Sequence, residues 1–345
     1  MQEPTHPHAG HSDSAASPAE TRVCVVIPMY RVEPYIQEVL AGMPDWVWRI
    51  VVVDDASPDC SAQKAQQSGD PRLVLVRHEK NQGVGGAVLS GLRKAAELGA
   101  RVAVKIDGDG QMSPEFLAEM VEPLLAGRAD YVKGNRFFHV DDIVRMPLVR
   151  RYGNLGLSFL TKIASGYWNV FDPTNGYIAI DLETFRSLDQ RYVHRRYFFE
   201  TSMLIELNII RAVVAEVPMP ARYRGEVSSL SVGRSLLEFS LHLARGFWRR
   251  LWLQYFVLDF SLGSLFLVIG ILMGLFGTVW GLYFWAQSIR TGIAASTGTV
   301  MIAVLPVILG FQLLLQALAF DIQNVPKTVL PRRWRAPNEK HRKKD

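Results

Sequence analysis

The chain has 345 residues, of which 49% are hydrophobic and 21% are charged, and its net charge is +5. This composition excludes a disordered, collagen-like or disulfide-framework protein, and the length predicts a folded core with an additional part. The two cysteines, Cys24 and Cys60, are too few for a disulfide framework and suit a reducing compartment.

The first segment, residues 1–21, is polar and rich in proline, serine and histidine. It contains no apolar stretch of the kind that forms the centre of a signal peptide. Its low hydrophobicity predicts a disordered, solvated tail.

Short β-branched runs alternate with amphipathic stretches between residues 22 and 230. The runs are VCVVIP, RIVVVDD, RLVLVRH, RVAVKIDGDG and DYVKGNR. Each is apolar enough for a buried strand and too short for a helix, so the alternation predicts an α/β domain with a mostly parallel sheet flanked by helices. Ligands bind such sheets at the carboxyl ends of the strands. The residues at these strand ends are Pro28, Asp54, Asp55, Asp107, Asp109 and Arg136.

The fourth run ends in Asp107-Gly-Asp109-Gly-Gln111. Hard oxygen ligands on a short loop suit Mg²⁺ or Mn²⁺ that also holds a diphosphate, and Mg²⁺ commonly takes only one or two protein carboxylates. A turn that is merely rich in Asp and Gly is the alternative. The acidic pair at the end of an earlier strand favours the metal site.

That earlier pair is Asp54-Asp55, followed by Ser57. A carboxylate here can accept a hydrogen bond from a base or a ribose hydroxyl, and Ser57 can cap the next helix. Which aspartate would contact a nucleotide stays open. The glycine-rich turn NQGVGG, residues 81–86, precedes a helix and could bind phosphate, but its spacing is not that of a dinucleotide-binding loop.

Arginines after the sheet could bind phosphate, since the guanidinium fork matches phosphate oxygens. They are Arg136, Arg150, Arg151, Arg222 and Arg224. Arg136 follows a strand and Arg224 precedes a glycine in a serine-rich loop. These positions favour a ligand contact over a solvated surface charge for both.

An apolar and basic segment, residues 231–253, predicts an amphipathic helix. Its apolar stripe consists of Leu236, Phe239, Leu243, Phe247 and Leu251. Such a helix can pack on a core or lie in a membrane interface, and its tryptophans and arginines favour the interface.

Two long apolar stretches follow, at about 255–286 and 299–320. Each has the roughly 20 residues that a bilayer needs, and the short link between them predicts a transmembrane hairpin over 254–322. Two buried core helices are the alternative. Arginines precede the first stretch and a basic tail, residues 323–345, follows the second, so we expect both termini in the cytoplasm.

The motifs follow one another in a specific order along the chain. They are Pro28-Met-Tyr30, Asp54-Asp55-Ala-Ser57-Pro58-Asp59, Asn81-Gln-Gly83, Asp107-Gly-Asp109-Gly-Gln111 and Gly134-Asn-Arg136, then Asp172-Pro-Thr-Asn175-Gly176-Tyr177, Phe199-Glu200 and Arg224-Gly-Glu-Val-Ser228-Ser229-Leu230. The first five resemble glycosyltransferase family 2 with the GT-A fold. Together with the later segments and the hairpin, they resemble the polyprenyl-phosphate glycosyltransferases, the dolichol-phosphate mannose synthase and bactoprenol glucosyltransferase group.

This resemblance implies an inverting, metal-dependent transfer of a hexose from a nucleoside-diphosphate sugar to polyprenyl phosphate at the cytoplasmic membrane face. A UDP-glucose-type donor is favoured, with GDP-mannose next, and undecaprenyl or dolichyl phosphate as acceptor. The implied cofactor is Mg²⁺ or Mn²⁺, and the implied fold is the GT-A nucleotide-diphospho-sugar transferase fold with an interfacial helix and a membrane hairpin. We expect no nucleic-acid partner, and a homo-oligomer stays open.

The resemblance also implies roles for individual residues. Asp109 and Arg136 would be catalytic, and the metal would be held by Asp107, Asp109 and Gln111. The nucleotide sugar would be bound by Pro28, Tyr30, Glu33, Asp54, Asp55, Asp107, Gly108 and Arg224. The acceptor phosphate would be met by Arg150, Arg151, Ser228 and Ser229.

Two positions depart from the family pattern. Arg31-Val32 follow Tyr30 where the family often has Asn-Glu, so that the acid comes at Glu33. Ser228-Ser229 stand where the family often has Ser-Lys. The departures concern base recognition and one phosphate contact rather than the metal site.

Other functions are weighed against this one. A processive polysaccharide synthase usually has more membrane spans and a Gln-x-x-Arg-Trp motif, and the chain has neither. A non-catalytic membrane adaptor with a degenerate domain is disfavoured by the intact Asp107 and Asp109 pair. A family 2 transferase with another membrane-associated glycan or lipid acceptor remains the alternative.

Overall fold

The structure, a computed structural model, describes residues 21–137, 148–220 and 232–331, without the side chains of residues 148–152, 154 and 232–237. Its centre is a seven-stranded sheet in the order β3-β2-β1-β4-β6-β5-β7. The strands are β1 (Val23–Met29), β2 (Arg49–Asp54), β3 (Leu73–Arg77), β4 (Val102–Lys105), β5 (Tyr131–Asn135), β6 (Ile178–Asp181) and β7 (Val214–Pro218). All neighbouring pairs are parallel except those of β6, which runs antiparallel to β4 and β5. The prediction of a mostly parallel sheet is confirmed.

The helices of the described chain flank this sheet and continue beyond it. They are α1 (Ile36–Ala41), α2 (Ser61–Gln67), α3 (Val84–Leu98), α4 (Leu117–Leu125), α5 (Leu148–Ser165), α6 (Leu182–Ser187), α7 (Phe199–Ile209), α8 (Val232–Trp252), α9 (Leu262–Thr291) and α10 (Thr297–Gln323). A 3₁₀ turn, Pro114–Phe116, precedes α4, and a π-helical turn, Leu253–Leu258, follows α8.

The strand β1 shows why the apolar runs form strands buried on both faces. Val23, Val25 and Ile27 pack in one core cluster with α1, α2 and α4. Cys24 and Val26 point to the other side, where they pack with α3, α6 and α7. Alternate side chains of a strand face opposite sides of the sheet, so a continuous apolar run fills both layers. Burial raises the pKa of the Cys24 thiol to about 12, in keeping with a small hydrophobic side chain.

The helix α8 packs on the α/β domain through the apolar stripe seen in the sequence. Leu243 and Leu251 are buried, and Phe239 and Phe247 pack in a small cluster with residues of α5 and α7. The opposite side of α8 carries the exposed side chains of Leu241, Trp248 and Trp252. These four residues of the stripe therefore contact protein, and a contact of this part of the helix with lipid would involve the opposite side.

The helices α9 and α10 are long and apolar enough to cross a membrane by length and composition, and they suggest membrane association. They pack against each other along their length. The first begins at Leu262 rather than near 255 because Ser261 and Ser264 form a capping box, which starts a new helix after the extended Asp259. Residues 253–258 belong to the π-helical turn instead.

A buried polar cluster joins α10 to the α/β domain, and we call it the Asp321 cluster (Trp168, Arg250, Tyr255 and Asp321). The Arg250 guanidinium, 1% exposed, donates to both carboxylate oxygens of Asp321 at 2.7 and 3.2 Å and to two carbonyls at the end of α5. Tyr255 Oη and Trp168 Nε1 donate to the same carboxylate at 2.8 and 3.0 Å. The end of the second apolar helix is thereby fastened to α5 and α8.

The chain after α10 returns to the α/β domain. Arg211 donates to the side chain of Asn324 at 3.0 Å, and Val325 and Leu330 pack against the core cluster that contains α3. The backbone N–H of Leu330 lies 3.2 Å from both carboxylate oxygens of Asp130, just before β5. The start of α9, shortly after Tyr255 of the Asp321 cluster, and the end of α10 therefore lie on the same side of the helix pair, against the α/β domain.

Candidate active site

The main cleft of the α/β domain lies at the carboxyl ends of β1, β2 and β4 and has a volume of about 550 Å³. The residues selected from the sequence that line it are Pro28, Tyr30, Asp55, Asp107, Gly108 and Asp109. The structure thus brings together residues that are far apart in the chain, as the strand-end rule predicts.

The loop after β1 is held by the start of α2. The backbone N–H of Arg31 donates to Ser57 Oγ at 2.8 Å, and that of Glu33 donates to Asp59 at 3.2 Å. Although partial burial opposes it, hydrogen bonds from Ser57 and Ser61 lower the pKa of Asp59 to about 2. The anionic Asp59 is therefore a firm acceptor, and the loop presents Tyr30 at the cleft, 44% exposed.

Glu33 and Asp54, two of the predicted nucleotide contacts, make local contacts. One Glu33 oxygen accepts from the backbone N–H of Cys60 at 3.1 Å, and the other lies 3.3 Å from Lys64 Nζ. Asp54 accepts from the backbone N–H of Ser57 at 3.0 Å. Glu33 thus caps the start of α2, Asp54 shapes the turn after β2, and their nucleotide roles stay predictions.

Asp55 holds the glycine-rich turn in place. Its carboxylate, 2% exposed, accepts from the backbone N–H groups of Gln82 and Gly83 at 2.8 Å each and lies 2.7 Å from His78 Nδ1. Charge-assisted bonds of this kind are stronger than neutral ones. The side chain directly after β2 therefore fixes the wall of the cleft formed by the start of α3.

The glycines of this turn allow close backbone packing. A Cβ on Gly83 would lie 2.7 Å from the Arg195 carbonyl oxygen, and one on Gly85 would lie 2.4 Å from that of His194. Gly83 has a φ of +85°, which is strained for other residues. The turn packs against residues 194–196, and this contact explains the glycines without a bound phosphate.

Replacing Gly83 by Ala is expected to destabilise the protein by more than the roughly 1–3 kcal/mol that backbone strain alone costs, because the added Cβ would also lie 2.7 Å from the Arg195 carbonyl oxygen. Nucleotide binding should weaken as well, because the wall of the cleft moves. Gly69→Ala is the matched control, since Gly69 also has a positive φ, +66°, but no atom lies within 4 Å of an added Cβ. Chemical denaturation and nucleotide titration measure both effects. Equal losses in the two variants would contradict the packing argument.

The carboxylate of Asp107 is oriented by a buried lysine. Lys105 Nζ, at the end of β4, lies 2.6 Å from Asp107 Oδ1, and the lysine side chain is 1% exposed while that of Asp107 is 29% exposed. The next acid, Asp109, accepts from the backbone N–H of Gln111 at 3.0 Å. Lys105 thus fixes one oxygen of the Asp107 carboxylate from the buried side of the turn.

A divalent cation fits this turn by its donor set. The described residues contain no group of three or more His, Cys, Asp or Glu side chains that could hold a metal by themselves. Asp107, Asp109 and Gln111 offer two carboxylates and an amide, and Mg²⁺ commonly completes such a shell with water and phosphate. The turn therefore suits a metal shared with a diphosphate rather than a metal enclosed by protein.

A second, smaller cavity of about 60 Å³ adjoins the same turn and is lined by Gln111, Asn175 and Arg136 among others. The Arg136 fork donates to both oxygens of Asp172 at 2.8 and 3.1 Å. Asp172 is fully buried, whereas the Arg136 side chain is 31% exposed. Arg136 is thus held in a fixed orientation beside Gln111.

Buried charges lie beneath the two cavities. Lys133 Nζ donates to the Asn175 carbonyl at 2.7 Å. Burial lowers the pKa of Lys133 to about 8, with Glu200 and Asp172 acting against the shift. Burial raises the pKa of Glu200, which Lys105 and Lys133 oppose. Glu200 therefore interacts electrostatically with both lysines in the interior of the domain.

The cleft also has residues that the sequence analysis did not select. Arg196 and Tyr197 line it, and both lie on the turn before α7. The available signal was the run Arg195-Arg196-Tyr197 directly before a helix. Two adjacent arginines are common on surfaces, so the pattern alone did not distinguish them.

Several predicted substrate contacts lie outside the described residues or have no described side chain. Arg224, Ser228 and Ser229 belong to residues 221–231. Arg150 and Arg151 lie in the first turn of α5, where the backbone is described and these side chains are not. Their roles stay predictions.

Known proteins resemble the chain in sequence and in fold. The family described as "Glycosyl transferase family 2" matches residues 24–188. The UDP-N-acetylglucosamine–dolichyl-phosphate N-acetylglucosaminyltransferase of Methanococcus voltae is 31% identical over 220 residues, 59% of this chain and 87% of that protein. The undecaprenyl-phosphate mannosyltransferase of Micrococcus luteus is 30% identical over 203 residues, 57% of this chain and 82% of that protein.

A solved structure with a similar fold is glucosyl-3-phosphoglycerate synthase from Mycobacterium tuberculosis in complex with Mn²⁺, UDP and glucosyl-3-phosphoglycerate. The TM-score is 0.50 at 21% identity, over 72% of this chain and 86% of that one. This likeness concerns the fold: a mostly parallel sheet flanked by helices in the GT-A arrangement. Fold and sequence together define a sugar-transferring enzyme. The chain belongs to glycosyltransferase family 2, as its motifs predict.

Proposed function

We propose that the protein transfers a hexose from a nucleoside-diphosphate sugar to polyprenyl phosphate with inversion, in a metal-dependent reaction. A UDP-glucose-type donor is the first candidate and GDP-mannose the second. The observation that carries the proposal is a cleft with Asp107 and Asp109 in a domain to which two apolar helices are fastened. Both relatives named above are, by name, transferases that act on a polyprenyl phosphate, which supports this acceptor class.

The proposed chemistry follows from the charges of the reactants. The acceptor phosphate is already anionic at neutral pH and needs no strong general base. One of its oxygens attacks the anomeric carbon while the bond to the diphosphate oxygen breaks, so the nucleoside diphosphate leaves and the configuration inverts. A metal held by Asp107, Asp109 and Gln111 would supply charge neutralisation at the diphosphate.

The residues of the chain then position the two substrates. Pro28, Tyr30 and Asp55 lie in the part of the cleft proposed for the nucleotide. Arg136, oriented by Asp172 in the adjoining cavity, is proposed to meet a phosphate near the reacting carbon. Fixed groups of this kind lower the barrier because little reorganisation is needed during the reaction.

The membrane arrangement is part of the proposal. Both ends of the pair α9–α10 lie against the α/β domain, and the chain beyond residue 331 is basic. The positive-inside rule then places the cleft and both termini in the cytoplasm. Reporter fusions at residue 294 and at the C-terminus test this. A cytoplasmic signal from the link between the helices would contradict it.

Sugar transfer is tested with the purified full chain in detergent or lipid vesicles. Undecaprenyl or dolichyl phosphate is incubated with labelled UDP-glucose, UDP-N-acetylglucosamine or GDP-mannose, with Mg²⁺ or Mn²⁺ or with a chelator. We expect labelled lipid from one donor, lost with the chelator, and an inverted anomeric configuration by NMR. Absence of labelled lipid with every donor, while the nucleotide still binds, would point to the adaptor or to another acceptor.

A further inference from the structure

The turn of residues 194–197, which precedes α7, forms one wall of the main cleft. Among the described residues that line this cleft, three are carboxylates, Asp55, Asp107 and Asp109, and one is a cation, Arg196. A metal on the acidic turn would offset part of the negative charge, and a bound diphosphate would add more. Arg196 is therefore the one cationic side chain of the described lining that could offset the charge of a bound diphosphate.

The position of Arg196 is fixed by the surrounding backbone. The carbonyl of Arg195 accepts from the backbone N–H of Gly86 at 2.9 Å. The N–H of His194 donates to Ser202 Oγ at 2.8 Å, and the N–H of Arg196 donates to His194 Nδ1 at 3.2 Å. The turn is thus tied both to α3 and to α7, which are themselves packed on the sheet.

The Arg196 side chain packs closely against the backbone of Gly83. A Cβ on Gly83 would lie 2.8 Å from Arg196 Cγ and 3.3 Å from its Cα. Gly83 is in turn held by the carboxylate of Asp55 through its N–H at 2.8 Å. Asp55, the glycine turn and Arg196 therefore form one continuous wall.

The adjacent arginine is directed elsewhere. Arg195 Nη1 donates to Gln82 Oε1 at 3.2 Å, and Arg195 is absent from the described lining of the cleft. Both side chains are exposed. The two neighbours have the same charge, and only Arg196 lines the cleft.

We propose that Arg196 binds the diphosphate of the donor, from the side of the cleft formed by the α3 and α7 turns. This inference rests on the proposed function, because it assumes a nucleoside-diphosphate sugar in the cleft. The planar guanidinium can donate two parallel hydrogen bonds to phosphate oxygens, which a lysine cannot do. Arg196 acts together with the metal, and its contact strengthens as the leaving group gains charge.

The test compares Arg196→Ala, Arg196→Lys and Arg195→Ala in the full-length protein. UDP and GDP, each with Mn²⁺, are titrated by calorimetry, and the donor KM and kcat are measured with the sugar nucleotide that supports transfer. We expect Arg196→Ala to weaken binding of the preferred nucleoside diphosphate at least about tenfold, as for other hydrogen bonds to charged groups. Arg196→Lys should recover only part of this affinity, and Arg195→Ala should stay within about twofold of the wild type, as usual for a surface change.

Further comparisons keep the result interpretable. The thermal midpoint of each variant shows whether it is folded, and the corresponding monophosphate should show a smaller loss with Arg196→Ala than the diphosphate does. The inference would be overturned by equal effects of the Arg195 and Arg196 substitutions, or by an unchanged affinity in folded Arg196→Ala. The proposed function would still stand in either case, provided that the wild-type protein transfers the sugar. A wild-type protein that binds neither nucleotide would overturn both.

Discussion

Asp109→Asn is expected to lower sugar transfer by about 10²–10³-fold, the usual cost of removing one charge that stabilises the transition state. The amide oxygen of Asn can still accept the hydrogen bond from the Gln111 N–H, which lies 3.0 Å from Asp109 Oδ1. The fold should therefore remain intact while the negative charge at the metal is lost. Initial rates at saturating Mn²⁺ and the thermal midpoint measure the two effects.

Asp45→Asn is the control for this substitution. Asp45 is exposed and precedes the start of β2, so it lies at the edge of the sheet opposite the cleft. It should keep the wild-type rate. If the rate of Asp109→Asn lay within about threefold of the wild type, the loss would be far smaller than removal of an electrostatic contact predicts. Asp109 would then not be a ligand of the metal.

Asp321→Leu is expected to destabilise the protein by about 3–5 kcal/mol, because it leaves the guanidinium of Arg250 buried without a carboxylate. Arg250 is 1% exposed and donates to both oxygens of Asp321. The double substitution Arg250→Met with Asp321→Leu should recover much of the loss, since hydrophobic replacement of a buried pair is often neutral. Thermal unfolding in detergent, followed by size-exclusion chromatography, gives the order of the midpoints.

Asp259→Leu provides the comparison for the Asp321 cluster. Asp259 is the other acid beside the apolar helices, and it is exposed. Its substitution should leave the midpoint close to that of the wild type. If Asp321→Leu behaved like Asp259→Leu, or if the double variant were no more stable than the single one, the cluster would not be the fastening between the hairpin and the domain.

The strands were predictable to different degrees, for a physical reason. Of the first five strands, β1, β2, β4 and β5 are buried on both faces of the sheet and the edge strand β3 is partly buried, and the composition of their short runs locates all five. The strand β6 has only four residues, Ile178–Asp181, and its antiparallel direction depends on pairing with β4 and β5. Pairing direction is a long-range property and leaves little trace in a short segment.

The residues of the candidate active site were also only partly predictable from the sequence. Asp107 and Asp109 were found because strand ends meet at one edge of a parallel sheet. Arg196 reaches the same cleft from a turn more distant along the chain, through contacts with the glycine turn that only the fold reveals. The sequence predicts Arg250 as one of the arginines of an interfacial helix. Its burial depends on Asp321, which follows it by 71 residues.

The turn after β4 has a consequence for how such an enzyme can diversify. Asp109 lines the larger cavity and Gln111 the smaller one, and the chain reverses between them at Gly110, whose φ is +72°. Under the proposed assignment the larger cavity holds the nucleotide, and the smaller one, lined by Arg136, lies on the side proposed for the reacting carbon and the incoming acceptor phosphate. Mutations that reshape the acceptor side then leave the walls of the nucleotide cleft unchanged. A lineage can exchange one acceptor for another in small steps while it retains its activated-sugar chemistry.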